Sequence, residues 1–360
     1  MQQNQYVPTG VEVAAAWAWR LLTIAALGAV GIWLLRYFSE VTVPLSVGLL
    51  GAALAIGPVN WLHRHHVPRL LASMVVVVFL FGAFFAVMFL IGQQLSTQFN
   101  DVRANVVDAI TQVQDWSHGP PLNLSDQQLQ EGVDRVKHAI ASSDSAIVSG
   151  ATQIGGQVTR FLAGFFIVLF SMIFFLYEGN RIFSWAVALF PKLAREKAYT
   201  SGITAWNSLT SFMRATVLVA LVDAVGIGFG AWLLGVPLEF AIAALVFLGG
   251  FVPIVGAFVS GLVAVMVALV SQGFWVAVLM LIVVIGVQQL ESHVLQPFLM
   301  GRFVAVHPLA IIVAIAAGIV VAGVVGALIS VPLAASLNGV VRHLAAEESE
   351  LGDESEPNPA

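Results

Sequence analysis

Apolar residues along this chain come in blocks rather than in a repeating period. Blocks at 13–35, 41–62, 70–92, 161–177, 215–234, 274–290 and 307–335 each hold at most one charged residue. At about 1.5 Å of rise per residue, most of these make a helix long enough to cross a hydrocarbon core of about 30 Å, and 161–177 needs a further turn. An eighth block, 240–270, runs for 31 residues without a charge. As one straight helix it would be about 46 Å long, too much to span without tilt. Pro253 sits near its middle beside Gly249, Gly250 and Gly256. A broken helix, or a hairpin opening to one side, is therefore expected there. The count is eight crossings if that block crosses once, and a re-entrant hairpin would change the parity.

The one sizeable polar interval between spans is 96–158. Before Gly119-Pro120-Pro121, the residues Leu95, Phe99, Val102, Val106, Ile110 and Val113 recur at steps of three and four, so the third span continues as an amphipathic helix. After the break, Ser125 and Gln128 suit a helix start, and Leu129, Val133, Val136 and Ile140 give it an apolar face. A second helical stretch lies at 181–214, interrupted at Phe190-Pro191, with Tyr199, Ile203, Trp206, Leu209 and Met213 on one side. The tail after Arg342 carries six acidic residues and reads as disordered.

Composition changes the picture in one respect. With 59% hydrophobic and 10% charged residues, the chain cannot cover itself with a water-facing surface. The expected fold class is an all-α polytopic integral membrane protein. Its first apolar stretch follows Glu12 rather than a basic region, and is read as a retained helix and not a signal peptide. The net charge of −5 excludes a generally basic nucleic-acid binder, and the lack of Cys removes disulfides and thiolate chemistry. Basic residues favour one side: Arg20, Arg64, Arg69, Arg181, Lys192, Arg195, Lys197, Arg214 and Arg342 against Arg36, Arg103, Arg135, Lys137, Arg160 and Arg302. That bias places both termini in the cytoplasm and the chain in the cytoplasmic membrane.

The organisation expected is membrane helices 1–3 over 1–95, an extracytoplasmic helical insert at 96–158 and helix 4 at 159–178. A cytoplasmic amphipathic segment follows at 179–214, then a transport core of helices 5–8 at 215–341, and the tail at 342–360.

Candidate chemistry sits where polarity is costly. Asp223 lies inside the fifth span, with glycines at 226, 228 and 230. A carboxylate there must be protonated, paired or facing a wet cavity. The densest polar patch is Gln288, Gln289, Glu291, Ser292 and His293, and Pro297, Gly301, His307 and Pro308 then interrupt the chain. Interrupted helices free backbone groups to meet a solute. Glu291, His293 and His307 lack a zinc spacing. No phosphate loop is present, so neither metal, cofactor nor ATP hydrolysis is expected.

The sequences Phe251-Val252-Pro253-Ile254-Val255-Gly256, Gln288-Gln289-Leu290-Glu291, Gln296-Pro297 with Gly301, His307-Pro308-Leu309 and Val331-Pro332 occur in an order that resembles the autoinducer-2 exporter family of membrane permeases. Gly57-Pro58-Val59-Asn60-Trp61-Leu62 and Val67-Pro68-Arg69 add to it in the N-terminal half. Gly57 and Gln296 stand where that family often has Asn and Ser. The resemblance implies about eight membrane helices, a homo-oligomer such as a pentamer, and transport without ATP hydrolysis. It also marks Pro253 and Gly256 for the broken helix, Gln289 and Glu291 for the polar patch, and Pro297, Gly301, His307 and Pro308 for the turn.

The function expected is a permease moving a small solute or ion, by proton- or cation-coupled export. Its alternatives are a passive channel formed by a homo-oligomer, a cation–proton antiporter, and a scaffold without transport. Membrane lipid is the first partner; an enzyme is the reading least supported.

Overall fold

The computed structural model describes residues 8–117, 158–252, 255–295 and 307–353. Among them the chain forms α1 (Thr9–Tyr37), α2 (Ser39–Arg64), α3 (Arg69–Ser117), α4 (Val158–Ala188), α5 (Arg195–Leu233), α6 (Glu239–Gly249), α7 (Val255–Gln272), α8 (Phe274–Leu290) and α9 (Pro308–Asp353). Eight helical stretches are long and apolar enough to cross a membrane, and α6 is a shorter apolar helix. The protein is thus an all-α polytopic membrane protein.

Small residues set which helices meet. On α2, Gly48, Gly51, Ala52 and Ala55 form a thin face. A Cβ on Gly48 would strike Ser171, one on Gly51 would touch Met172, and one on Gly164 would touch Pro44. These contacts advance together along both helices, so α2 and α4 run parallel and close, as small-residue seams allow in lipid. Helix α3 runs antiparallel to α4: Arg69 Nε donates to the Leu176 carbonyl at 2.9 Å, and Phe81 and Phe85 meet Phe165 edge-on at 5.0 and 5.8 Å. Beyond the membrane-length part, α3 continues to Ser117 as the amphipathic spacing predicts. The second helix expected in the insert, after Ser125, lies outside the described residues.

Helix α4 ends at Ala188, and Phe190-Pro191 breaks the chain where expected. Arg195 holds that break by donating to the carbonyls of Ala188 and Phe190 at 2.8 and 3.0 Å. Helix α5 then runs without interruption for 39 residues. Its glycines let neighbours in: a Cβ on Gly226 or Gly230 would meet Val287 or Val283 of α8, and one on Gly228 would meet Ala243 of α6. The pairings 226 with 287 and 230 with 283 make α8 antiparallel to α5. Gly228 with Ala243 and Gly250 with Ala220 make α6 antiparallel to α5 as well.

The 240–270 block is broken, as its Pro and Gly content predicts; Pro253 itself lies outside the described residues. Helices α6 and α7 lie against each other, and a Cβ on Gly256 would fall inside the Gly249 carbonyl. Gln272 Nε2 donates to the Gly235 carbonyl at 2.6 Å, joining the far ends of the pair. The two helices therefore form a hairpin whose open end lies at the C-terminal end of α5.

A second hairpin replaces the single span read at 307–335. Within α9, Ala322 (φ −142°, ψ 26°) and Gly323 (φ 60°, ψ −143°) leave helical geometry. A Cβ on Gly318 would run into the Gly326 carbonyl and come within 2.9 Å of Ser330 Cβ. Residues 318 and 330 would be about 18 Å apart in a straight helix, so the chain reverses. Pro308 opens this helix, while Pro297 and Gly301 lie outside the described residues.

Candidate functional site

The interior of the C-terminal half is organised by one face of α5. Met213, Thr216, Ala220, Asp223 and Ile227 recur at steps of three and four, and all are buried. At one end of this stripe, Leu209, Phe212 and Met213 share an apolar cluster with Ile315, Ala327, Ile329 and Val331 of the second hairpin. Phe251 and Val252, at the turn of the first hairpin, pack on the same cluster. In the middle of the stripe, Ala220 lies under Gly250. The turn of the first hairpin and the arms of the second therefore pack on α5 between Leu209 and Ala220, while the turn of the second, at Gly323 and Val324, stands exposed.

Asp223 sits about ten residues, or ~15 Å, from the C-terminal end of α5 and is 4% exposed. The antiparallel register of α5 and α8 brings Glu291 to the same depth, and the two carboxyl groups lie within hydrogen-bonding reach of one another. One oxygen of Asp223, Oδ1, is buried without a hydrogen-bond partner. At Glu291 the backbone of α8 passes into a π-helical turn, Glu291–Leu295. Such turns re-aim side chains and are frequent at functional sites.

The rest of the polar patch is spread around this turn and not gathered at the carboxyls. Gln288 is half-buried and Gln289 is exposed, as are Ser292 and His293. Ser292 Oγ donates to the Gln288 carbonyl at 2.8 Å, and His293 Nδ1 lies 3.1 Å from the Gln289 carbonyl oxygen. His307 is exposed, and its Nδ1 accepts the Leu309 N–H at 3.2 Å at the start of α9. Its placement is that of a helix cap. Gly249, Gly250 and Gly256 stand at the turn of the first hairpin, where backbone meets backbone.

Two polar side chains that the sequence reading passed over belong to this region. Thr216, on the Asp223 stripe, is 5% exposed, and its Oγ1 has no hydrogen-bond partner. Gln94, near the end of the membrane-length part of α3, accepts the Ala241 N–H of α6 through Oε1 at 3.0 Å. The period of the α5 stripe was the available signal for Thr216; nothing local in sequence signals Gln94.

Only oxygen ligands meet at the carboxyl pair, and among the described residues no cluster of three His, Asp or Glu side chains could hold a metal ion.

Residues 22–346 match the profile of the AI-2E family transporter. A protein of Mycobacterium tuberculosis (strain CDC 1551 / Oshkosh) named for transport, MT0215, is 37% identical over 334 residues, covering 93% of this chain and 91% of its own. YrrI of Bacillus subtilis (strain 168), also named for transport, is 24% identical over 86% of this chain and 88% of its own. The AI-2 transport protein TqsA of Escherichia coli (strain K12) is 21% identical over 83% and 85%. With the profile spanning nearly the whole length and the first of these relatives matching over about nine-tenths of both chains, the chain belongs to the AI-2E transporter family and is a multi-pass membrane transporter, not an enzyme.

Proposed function

We propose that this transporter moves a small solute or ion through a gate where two helical hairpins meet α5, with Asp223 and Glu291 carrying the coupling proton or cation. The observation that carries this reading is the carboxyl pair. Two carboxyl groups lie together at depth between α5 and α8, and one of their oxygens is buried without a partner. Two negative charges in contact away from water are costly, so a proton or a cation is the natural third party. A pair that served only to hold α5 against α8 would have no reason to be acidic on both sides.

The hairpins supply the moving parts. The first begins and ends at one end of α5, so within a membrane it is re-entrant rather than a crossing. The second enters past the π-turn of α8, at the opposite end of α5. Broken helices that meet in mid-membrane are how many secondary transporters build a site. Gln288, Gln289, His293 and His307 border the entrance on the side of α8's C-terminal end. The excess of basic residues at the α2–α3 and α4–α5 connections makes that side cytoplasmic.

The test is flux in proteoliposomes with a panel of small solutes, with and without imposed proton and sodium gradients. Glu291→Gln is expected to abolish gradient-driven flux and leave membrane assembly intact. Normal gradient-driven flux in that variant removes Glu291 from the mechanism. Wild-type flux indifferent to both gradients would favour a passive channel.

A further inference from the structure

Hydroxyl groups on these helices have an easy way to satisfy themselves. Thr23, Thr97, Thr200 and Thr204 donate to a carbonyl three or four residues back, and so do Ser46, Ser73 and Ser336. Thr216 does not. Its Oγ1 is buried and unpaired, although a back-bonding carbonyl is always within rotamer reach on a helix. Inside a membrane protein an unmade hydrogen bond is expensive, and water is scarce to make it.

Its position gives that hydroxyl a purpose. Thr216 lies on the stripe between Met213, which contacts the second hairpin, and Ala220, which lies under Gly250 of the first. Asp223 is two helical turns further on, about 10 Å along the axis. That separation is too great for Thr216 and the carboxyl pair to share one ion, whose oxygen ligands stand at about 2.3–2.6 Å even for a large hard cation. Two unpaired buried oxygens thus mark two places on one helix face, with Gly250 of the first hairpin over the interval between them.

We propose that Thr216 lines a solute subsite distinct from the coupling pair, where its hydroxyl exchanges a hydrogen bond with a neutral polar group of the solute, a hydroxyl or a carbonyl. This inference rests on the gating reading above. It adds that solute and coupling ion sit at different depths of α5. A hydroxyl suits a neutral group because it donates and accepts without fixing a charge. Gly250 at the end of α6, seated on Ala220 one turn from Thr216, covers the subsite and uncovers it when the first hairpin moves.

The chain contains no cysteine, so a single introduced thiol reports without background. Thr216→Cys and Ile227→Cys are reconstituted and treated with methyl methanethiosulfonate, a small neutral reagent. Ile227 is on the same helix and equally buried, but in the cluster formed with the arms of α6 and α7 and with α8, away from the turn of the first hairpin. Thr216→Cys should react at least ten times faster than Ile227→Cys; equal slow rates overturn the proposal. For whichever panel solute the wild type carries, Thr216→Val should raise KM about tenfold while gradient dependence persists, and Thr216→Ser should restore it. An unchanged KM in Thr216→Val also overturns it. The outcomes separate from those of the coupling reading: loss of flux in Glu291→Gln with slow labelling at 216 defeats only the subsite. Fast labelling and a raised KM alongside normal gradient-driven flux in Glu291→Gln defeat only the coupling pair.

Discussion

The hydrogen bond between Gln94 and Ala241 gives a graded test of the first hairpin as a moving part. Ala241 is the third residue of α6, and its N–H is one of those that a helix start leaves without an internal partner. Gln94 Oε1 supplies the partner from α3, a helix 147 positions away in sequence. Helix α3 also packs along both α6 and α7, so this bond ties the hairpin to the N-terminal helices. Gln94→Leu preserves much of the side-chain volume and leaves the N–H orphaned. Orphaning a partly buried amide costs about 1–2 kcal/mol, which corresponds to roughly a 5- to 30-fold shift in a closed–open equilibrium. The readout is labelling of Val252→Cys, at the hairpin turn, by methyl methanethiosulfonate in the otherwise cysteine-free chain. When closing is fast relative to reaction, the rate follows the open population. Gln94→Leu should accelerate labelling 5- to 30-fold, and Gln94→Glu, which keeps an acceptor facing a helix N-terminus, should label near the wild-type rate. Wild-type labelling in a folded Gln94→Leu protein would refute the reasoning, because the bond would then not restrain the hairpin.

Two glycine substitutions separate contact from backbone strain. Gly256→Ala puts a Cβ inside the Gly249 carbonyl, and since backbone has no rotamer to yield, it should cost about 1–3 kcal/mol. A measurable fall in Tm in detergent checks this against Gly286→Ala, whose Cβ meets nothing within 4 Å and should leave Tm nearly unchanged. Gly323→Ala also meets nothing within 4 Å, but its φ of 60° and ψ of −143° suit glycine alone. A loss of about 1–3 kcal/mol is expected there from strain only. An unchanged Tm would mean that the reversal at 322–323 does not depend on that backbone state.

Much of the fold was legible because lipid enforces a simple code. A charge-free block longer than a membrane is thick must tilt, break or turn back, and Pro253 among glycines decided for a break in 240–270. The reversal at Ala322–Gly323 escaped because its block, 307–335, though nearly as long as 240–270, has no proline at the turn. Gly318, Gly323 and Gly326 are its only trace, and in membrane helices glycines more often mark tight packing. At the site, Asp223 and Glu291 stood out individually, since a carboxylate in an apolar run has few uses. Their meeting did not, because the α5–α8 register depends on Gly226 and Gly230 accepting Val287 and Val283. His293 and His307 looked similar in sequence, yet both stand exposed beside neighbouring backbone groups. Thr216 looked unremarkable, since most helical threonines satisfy themselves.

The two hairpins also account for where protein covers protein. A helix end inside a membrane leaves backbone donors and acceptors that lipid cannot pair, so it must lie against other chain segments or a wet cavity. Among the described residues, two such ends meet at the turn of the first hairpin. They lie against Ala220 of α5 and a cluster shared with Leu50 and Ala53 of α2, while the turn of the second hairpin, at Gly323 and Val324, stands exposed. By contrast α1 has no broken end, and none of its membrane-length stretch is buried within the chain. Its apolar side chains are as content in lipid as in a protein core. The same argument says why Asp223 and Thr216 could be kept polar where they are. A region that shelters helix ends already excludes lipid, and in the transport reading proposed above the added cost of two oxygens is offset when a proton, cation or solute pairs with them.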